Sequence, residues 1–568
     1  MMDEADRYKI TSEDYADIIL DNWNDPEVMQ KFTGDVVIRI NDNIAFAYIP
    51  IERVPLSSIN QYGYYSIPGC YGLLGSDIDK ESAANRVPYN LEQSSGKGVL
   101  IGFVDTGIDY RHPAFRKSDN TTKIISIWDQ SMKSLEGYPQ GLYYGTEYNS
   151  EEINYALKNE DPLSIVPMTD DIGHGTMMAG IACGNWDEAN DFRGIATEAE
   201  LVIVKLKPAK QYLKEMFLIP DGIPCYQEND IIAGVEYLNR IAAKQKKPIV
   251  ICLGVGNNMV DHAGLRIGST FYARLGEKPG LIFVTAAGNE ANRENHYYGN
   301  ITGNSISDYV DLQVAKDDPG FMIQFWGVSP NFFWVDIYLP SGEFLVRIPP
   351  IDGQTTIKQY EKMLVIADSI VGIPSFHNQS IIFRIHKPLE GNWTFMVFGS
   401  MGDLPREFHL WLTLHNFLHE GTCFNKPNTN TTIVGPANNT GIITVASYDK
   451  STGELDHYSS RGFNVDGVPK PDIAAPGVNI LAPFLNNSYV SASGSSIAAA
   501  VTAGIAAHIL QWGIVEGRAN FLNTAHVKHI FQLSAERQKD MKYPNEDWGY
   551  GILNPPGIIS TLRDFMDI

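Results

Sequence analysis

Cysteine is scarce: five residues in 568, odd in number and none in a Cys-x-x-Cys spacing. The scattered set (Cys70, Cys183, Cys225, Cys252, Cys423) excludes a cysteine-rich metal module and a disulfide scaffold, and it fits a reducing compartment. Basic charge is outnumbered as well. The formal net charge is −23, which argues against nucleic acid and anionic lipid as partners, since both call for a basic face. No apolar run is expected to reach the length of a membrane span. The acidic N-terminus, MMDEADRYKITSEDYADIILDNW, lacks the basic and apolar regions of a secretory signal. Internal repeats and low-complexity tracts are missing too. Acidic loops such as TDDIGHG have no clear ligand spacing, so neither a metal nor a cofactor is expected.

What is present is globular and loop-rich: 44% hydrophobic residues, 50 Gly and 31 Pro, in a chain long enough for two to four domains. GKGVLIGFVDTGID (96–109) reads as a buried strand ending at Asp105. GHGTMMAGIACG (173–184) reads as a Gly-His-Gly turn running into a helix. AELVIVKLK, PIVICLGVG and LIFVTAAGN are further apolar strands, and residues 230–246 have helical periodicity. Strands alternating with helices predict a parallel sheet covered on both faces, with ligands at the carboxyl ends of its strands. Asp105, Leu253, Gly254 and Asn289 all fall there.

From about residue 301 to 429 the pattern becomes aromatic, strand-like and free of clear helices, as in a sandwich or jelly roll. Aromatic residues in such folds are more often core than a sugar-binding platform. The α/β pattern then resumes to the C-terminus. The first ~95 residues form a separate acidic segment with a helix-like start and the strand pair DVVIRIND and IAFAYIPI.

Three groups have chemistry in them. Asp105, in VDTGIDYRHPAF, has the common alternative of a turn residue bonding its own backbone. His174 has that of a helix-start residue, and Ser496, in SASGSSIAAA, that of a helix cap. Together they make a different case. A serine hydroxyl is a weak nucleophile until a base takes its proton, imidazole titrates where it can do so, and a carboxylate fixes the imidazole tautomer. Asn289, after its strand end, supplies an amide for the oxyanion.

At these residues the chain resembles the subtilisin-like serine peptidases (subtilases), with the order Asp, His, Ser. DTGIDYRHPAF, GHGTMMAGIACG, RGIATEAEL, ICLGVG, AAGNE, GSSIAAA, YSSRG, PDIAAPGVNI and WGYGILN each resemble a family block. They cover roughly 96–300 and 432–562. The resemblance implies Asp105, His174 and Ser496 as catalytic, Asn289 as oxyanion donor, and Leu253 and Gly254 as substrate-binding. It also makes Ser496 both helix cap and nucleophile. Departures are Met177, Thr197, Cys252, Val255, Ser495, Ile497 and Ala500, none of them a triad or oxyanion position.

In layout the chain is similar to the clostridial Csp germination proteases. That likeness implies a subtilisin-like parallel sheet flanked by helices, an inserted all-β jelly-roll-like domain and a small α+β N-terminal prodomain. The expected divisions are 1–95, 96–300, 301–429 and 430–568. The implied activity is that of a serine endopeptidase that cuts its own prodomain once within residues 58–95 and keeps it bound. Its partner would be a protein zymogen, a spore cortex hydrolase in that group, and its location cytoplasmic or spore-associated. The alternative is a catalytically silent scaffold on the same fold. The stretch NQYGYYSIPGCYGLLGSD, mostly uncharged and rich in glycine, is suited to lie extended in a cleft.

Overall fold

The computed structural model describes the chain except residues 1, 56–58, 76, 80–84, 87–93, 134–135, 304, 373–377, 401–403 and 565–568. Its centre is a sheet in which Ile443–Asp449, Leu281–Ala286, Ile249–Leu253, Leu100–Asp105, Glu200–Lys205 and Ile124–Asp129 lie side by side. These six are parallel. Every residue of Leu100–Asp105 is buried, as a strand covered on both faces requires. Alternation sends Ile101 and Phe103 to one face, in a cluster with helices His174–Cys183 and Ser495–Leu510. Leu100 and Val104 face the other cluster, with helices Glu228–Gln245 and Ile267–Gly276. The protein is therefore an α/β fold whose helices sandwich a parallel sheet.

The expected lack of a membrane-length run needs correction. Ser495–Val515 is long and apolar enough to cross a membrane, with a mean hydropathy of 1.5, but 83% of its residues in that window are buried inside the protein. Small side chains explain both facts. Alanines and glycines raise hydropathy, and they also let the helix sit against its neighbour: a Cβ on Gly504 would stand 2.9 Å from the Ala182 carbonyl oxygen.

The N-terminal segment forms a helix, Glu4–Thr11, and a three-stranded antiparallel sheet ordered Tyr15–Asp21, Ile44–Pro50, Val36–Arg39. The first of these strands escaped the sequence pattern because Asp17 interrupts it. Asp17 is wholly buried, where it accepts from Lys210 Nζ at 2.9 Å and Gln227 Nε2 at 2.8 Å. A buried acid paired across two segments reads as a polar surface residue in sequence.

Residues His296 to Phe424 build two antiparallel sheets, of six and five strands, that share one core. Phe325, Phe333, Phe383, Trp393, Phe395 and Phe408 fill that core. Where this unit meets the rest, three histidines stack around Trp411. His262 lies 3.7 Å from the indole, His409 4.9 Å and His296 5.0 Å between ring centroids, and His296 Nε2 is 3.0 Å from His409 Nδ1. Burial pushes His262 and His296 down to about 3, and His409 well below its ordinary value. The unfolded chain therefore takes up protons that the folded protein refuses. Stability is full above the unfolded histidine value near ~6.5 and falls as pH drops toward the depressed folded values.

His409→Gln removes one such group. Chemical denaturation between about pH 6 and 4 should show the slope of unfolding free energy against pH reduced by about 1.4 kcal/mol per unit. An unchanged slope would mean that these histidines are hydrated in the native state.

Candidate active site

Strand Leu100–Asp105 delivers Asp105 at its carboxyl end, and helix His174–Cys183 opens on His174. The helix start is built by Asp170, one of the acids in TDDIGHG. Its Oδ1 accepts the Gly173 N–H at 2.7 Å, and its Oδ2 accepts the Thr176 N–H at 2.9 Å and hydroxyl at 2.7 Å. His174 Nδ1 lies 2.7 Å from Asp105 Oδ1 and Nε2 lies 3.0 Å from Ser496 Oγ. The acid is held in turn by the Thr106 N–H at 2.7 Å. All three side chains are buried: Asp105 is 1% exposed, His174 and Ser496 0%.

Burial acts on His174 most strongly and lowers its pKa, but the charge and hydrogen bond of Asp105, with Asp170 beyond, outweigh it. The imidazole is held above its ordinary value. A base so placed can take the serine proton and keep it as a stabilised cation.

Ser496 is not a helix cap. The helix begins at Ser495, the cap position is Gly494, and no side chain caps it. The Ser495 hydroxyl accepts the Gly288 N–H at 3.1 Å, and Ser496 Oγ goes to His174 instead. This leaves the Ser496 N–H open to an acceptor from outside the helix. Asn289 Oδ1 accepts the Ser495 N–H at 3.0 Å.

That acceptor is the chain's own. Cys70–Leu73 lies between two short strands, antiparallel to both. Leu73 and Gly72 pair with Val255 and Gly256, while Tyr71 and Cys70 pair with Tyr226 and Gln227. The Leu74 N–H donates to the Gly254 carbonyl at 2.8 Å, and the Leu74 carbonyl accepts the Ser496 N–H at 3.3 Å. Gly75 follows at φ +100°, and a Cβ there would stand 2.6 Å from Asn289 Nδ2 and 3.1 Å from Gly494 Cα. Further on, Asp77–Asp79 pairs with Ser491–Ser493.

Asp105, His174, Asn289, Gly254 and Ser496 thus converge on one peptide group, Leu74–Gly75. Leu253 stands one residue back, as the buried last residue of its strand, and it is the carbonyl of Gly254 that meets the chain. Sequence reasoning missed Gly256 and Val434. A Cβ on Gly256 would stand 2.6 Å from Val434 Cγ2 and 2.8 Å from Leu74 Cδ1, so this glycine makes room for the Leu74 side chain. The glycine doublet in LGVG was the available signal. Gly254 has its own reason, since a Cβ there would stand 2.7 Å from His174 Cε1. No cluster of three or more His, Cys, Asp or Glu side chains fit for a metal occurs among the described residues.

The family signature described as the Subtilase family matches residues 96–359 and 415–551, well over half of the chain. The chain belongs to that family. Among solved structures, the CspB protease of Clostridium perfringens is similar, with a TM-score of 0.75 and 28% identity over 84% of this chain and 96% of that one. C5a peptidase of Streptococcus pyogenes serotype M1 is 25% identical over 465 residues, 73% of this chain. The chain spans only 34% of that protein's length. Serine protease AprX of Bacillus subtilis (strain 168) is 35% identical over 143 residues, 22% of this chain and 30% of that protein.

The Asp105 contact has a measurable consequence. In a Ser496→Ala background, the labelled His174 imidazole should titrate above ~6.5 by NMR. Adding Asp105→Asn should lower it, because burial is then opposed only by Asp170 and the Gly75 backbone. A titration point unmoved by Asp105→Asn would show that the carboxylate does not hold the imidazole.

Proposed function

We propose that this chain is a serine endopeptidase whose first substrate is its own Leu74–Gly75 bond. The observation that supports this best is the Leu74 carbonyl on the Ser496 N–H, with Ser496 Oγ on His174 in the same place. On this reading Ser496 is the nucleophile. His174 takes its proton and returns it to the leaving Gly75 amine. Asp105 fixes the imidazole and stabilises its charged form, and the oxyanion is received by the Ser496 N–H and Asn289 Nδ2. Residues up to Leu74 then act as a prodomain that stays bound through the Asp17 contacts. The window of residues 58–95 set by the sequence contains this bond, although much of it lies outside the described residues.

In trans, the likeness to the CspB protease supports a protein substrate; that it is a zymogen, a spore cortex hydrolase, in a cytoplasmic or spore-associated setting, rests on the resemblance in layout alone. The departures from the family pattern leave every acting group in place. Met177, Ile497 and Ala500 are buried packing residues.

Ser496→Ala should run as one chain of 63.1 kDa. The wild-type protein should run as two fragments that co-purify, the larger beginning at Gly75 by N-terminal sequencing. Uncut wild-type protein that also fails to react with a fluorophosphonate probe would establish the silent scaffold instead.

Asn289→Ala should slow self-cleavage by about 10²–10³, the usual loss for one oxyanion donor. The cut should still fall at the same bond, because Asn289 makes no contact that sets the strand register. Unchanged kinetics would place the oxyanion donors elsewhere.

A further inference from the structure

Before its last strand, the two-sheet unit inserted into the chain makes a short turn, His415–Phe417, that reaches the cleft. It lies over Gly72, third residue before the Leu74–Gly75 bond. A Cβ on Gly72 would stand 2.9 Å from Leu414 Cδ1, 3.0 Å from Phe417 Cζ and 3.3 Å from Asn416 Nδ2. Gly72 is in an ordinary extended strand, paired with Gly256, so its backbone does not call for glycine. What calls for it is space.

Nor are the neighbours free to move aside. Leu414 and Phe417 are buried, at 1% and 3% exposed, and both belong to the main core cluster. The turn between them is fastened to the oxyanion strand end. The His415 N–H donates to Glu290 Oε2 at 2.9 Å, and His415 Nδ1 lies 2.8 Å from Glu290 Oε1. Glu290 follows Asn289 directly and is buried. Its own N–H donates to Ser460 Oγ at 3.0 Å. The turn is therefore held in register with the groups around the Leu74–Gly75 bond, and a strand side chain at the Gly72 position meets a fixed wall.

We infer that the Leu414–Phe417 turn of the inserted unit is a specificity gate, admitting only substrates with glycine three residues before the cleaved bond. This rests on the reading of Leu74–Gly75 as the first bond cut. Alternation along the strand places Gly72 and Leu74 on the same side. The preferred sequence is then Gly-x-Leu followed by the cut, with Leu74 in the space left by Gly256 and Gly72 under the gate. A substrate with a bulkier third residue must displace two packed side chains, and overpacking of this kind is strongly resisted.

The test uses the full chain and follows the rate of its own cleavage, with the cut located by N-terminal sequencing. Gly72→Ala should slow cleavage and Gly72→Val should slow it by about tenfold or more, on the scale of small steric discriminations. Phe417→Ala or Leu414→Ala combined with Gly72→Val should restore a large part of the lost rate. Chemical denaturation of the Ser496→Ala counterpart of Gly72→Val separates a gate from a folding defect, since a chain that is folded throughout the assay and still cut slowly is not limited by folding. Gly72→Val protein cut at the wild-type rate would overturn the gate while leaving the Leu74–Gly75 reading intact. So would double variants no faster than the single one. A wild-type cut at some other bond would overturn both.

Discussion

The Leu74 carbonyl lies on the first turn of a buried helix, and that contact requires both sides of the peptide to be fixed. Upstream, Cys70–Leu73 is a strand shared by Tyr226–Gln227 and Val255–Gly256. Downstream, Asp77–Asp79 is a strand on Ser491–Ser493. The chain is thus pinned to both halves of the α/β unit, one reached before the inserted sheets and one after. The entering chain and three segments distant from it, Tyr226–Gln227, Val255–Gly256 and Ser491–Ser493, must be in register before the Leu74–Gly75 peptide can meet His174 and Ser496. The parallel sheet provides this by ending its strands together, with Asp105, Gly254 and Asn289 at neighbouring carboxyl ends.

A buried ion pair sets the upstream anchor. Arg266 and Glu228 are both fully buried, with Arg266 Nη2 2.5 Å from Glu228 Oε2. Burial alone would lower the guanidinium's pKa, but the Glu228 charge outweighs it and holds Arg266 above its ordinary value. The spare valences go to the chain that enters the cleft. Arg266 Nη2 donates to the Ile67 carbonyl at 3.0 Å, and the Gly69 N–H donates to Glu228 Oε2 at 3.1 Å. Such a pair adds little net stability, yet losing one partner leaves a buried charge and typically costs about 3–5 kcal/mol. Its effect is on position. Gly69 precedes Cys70 directly, so the strand register that brings Leu74 to Ser496 is set by this pair.

Much of this was legible in the sequence, for a physical reason. Strands buried on both faces are continuous apolar runs, and turns that approach a reacting group need glycine, so LIGFVD, GHG and LGVG mark themselves. Strand ends marked Asp105 and Asn289, while His174 and Ser496, at helix starts, were joined to them by the chemistry of the trio and by the family blocks. What stayed hidden was polar and distant. Asp17 looks like surface until Lys210 and Gln227, about two hundred residues on, are folded against it. Ser496 looks like a cap because a cap and a nucleophile share the same residue type and the same helix start; only the His174 contact separates them. The extended segment was visible as uncharged and glycine-rich, but no pattern says which of its bonds lies at the helix. Leu414 and Phe417 read as ordinary turn hydrophobics, and nothing local reveals that they close over Gly72.

The arrangement sets two demands on the proposed protease that pull against each other. Joining the bond to the same chain as the catalytic groups makes the first cut effectively unimolecular, an advantage worth orders of magnitude in rate when the geometry is already right. The contacts responsible are not consumed by the cut. None of the contacts Tyr71–Tyr226, Leu73–Val255 and Asp17–Lys210 crosses the Leu74–Gly75 bond, so on the proposed reading all three outlast it. A product strand held by the same ladder, and by a whole three-stranded sheet behind it, competes with any substrate in trans at a high local concentration. Only the segment after Gly75 loses its covalent tether to that strand. On the proposed reading, the contacts that favour the first reaction oppose the second, and turnover on another protein would be limited by how often this strand leaves the cleft. Strand and sheet leave independently only if the link between Ile59 and Cys70 yields, and the Arg266–Glu228 pair grips that link. On that reading, the buried ion pair that sets the register of the first cut would also govern release.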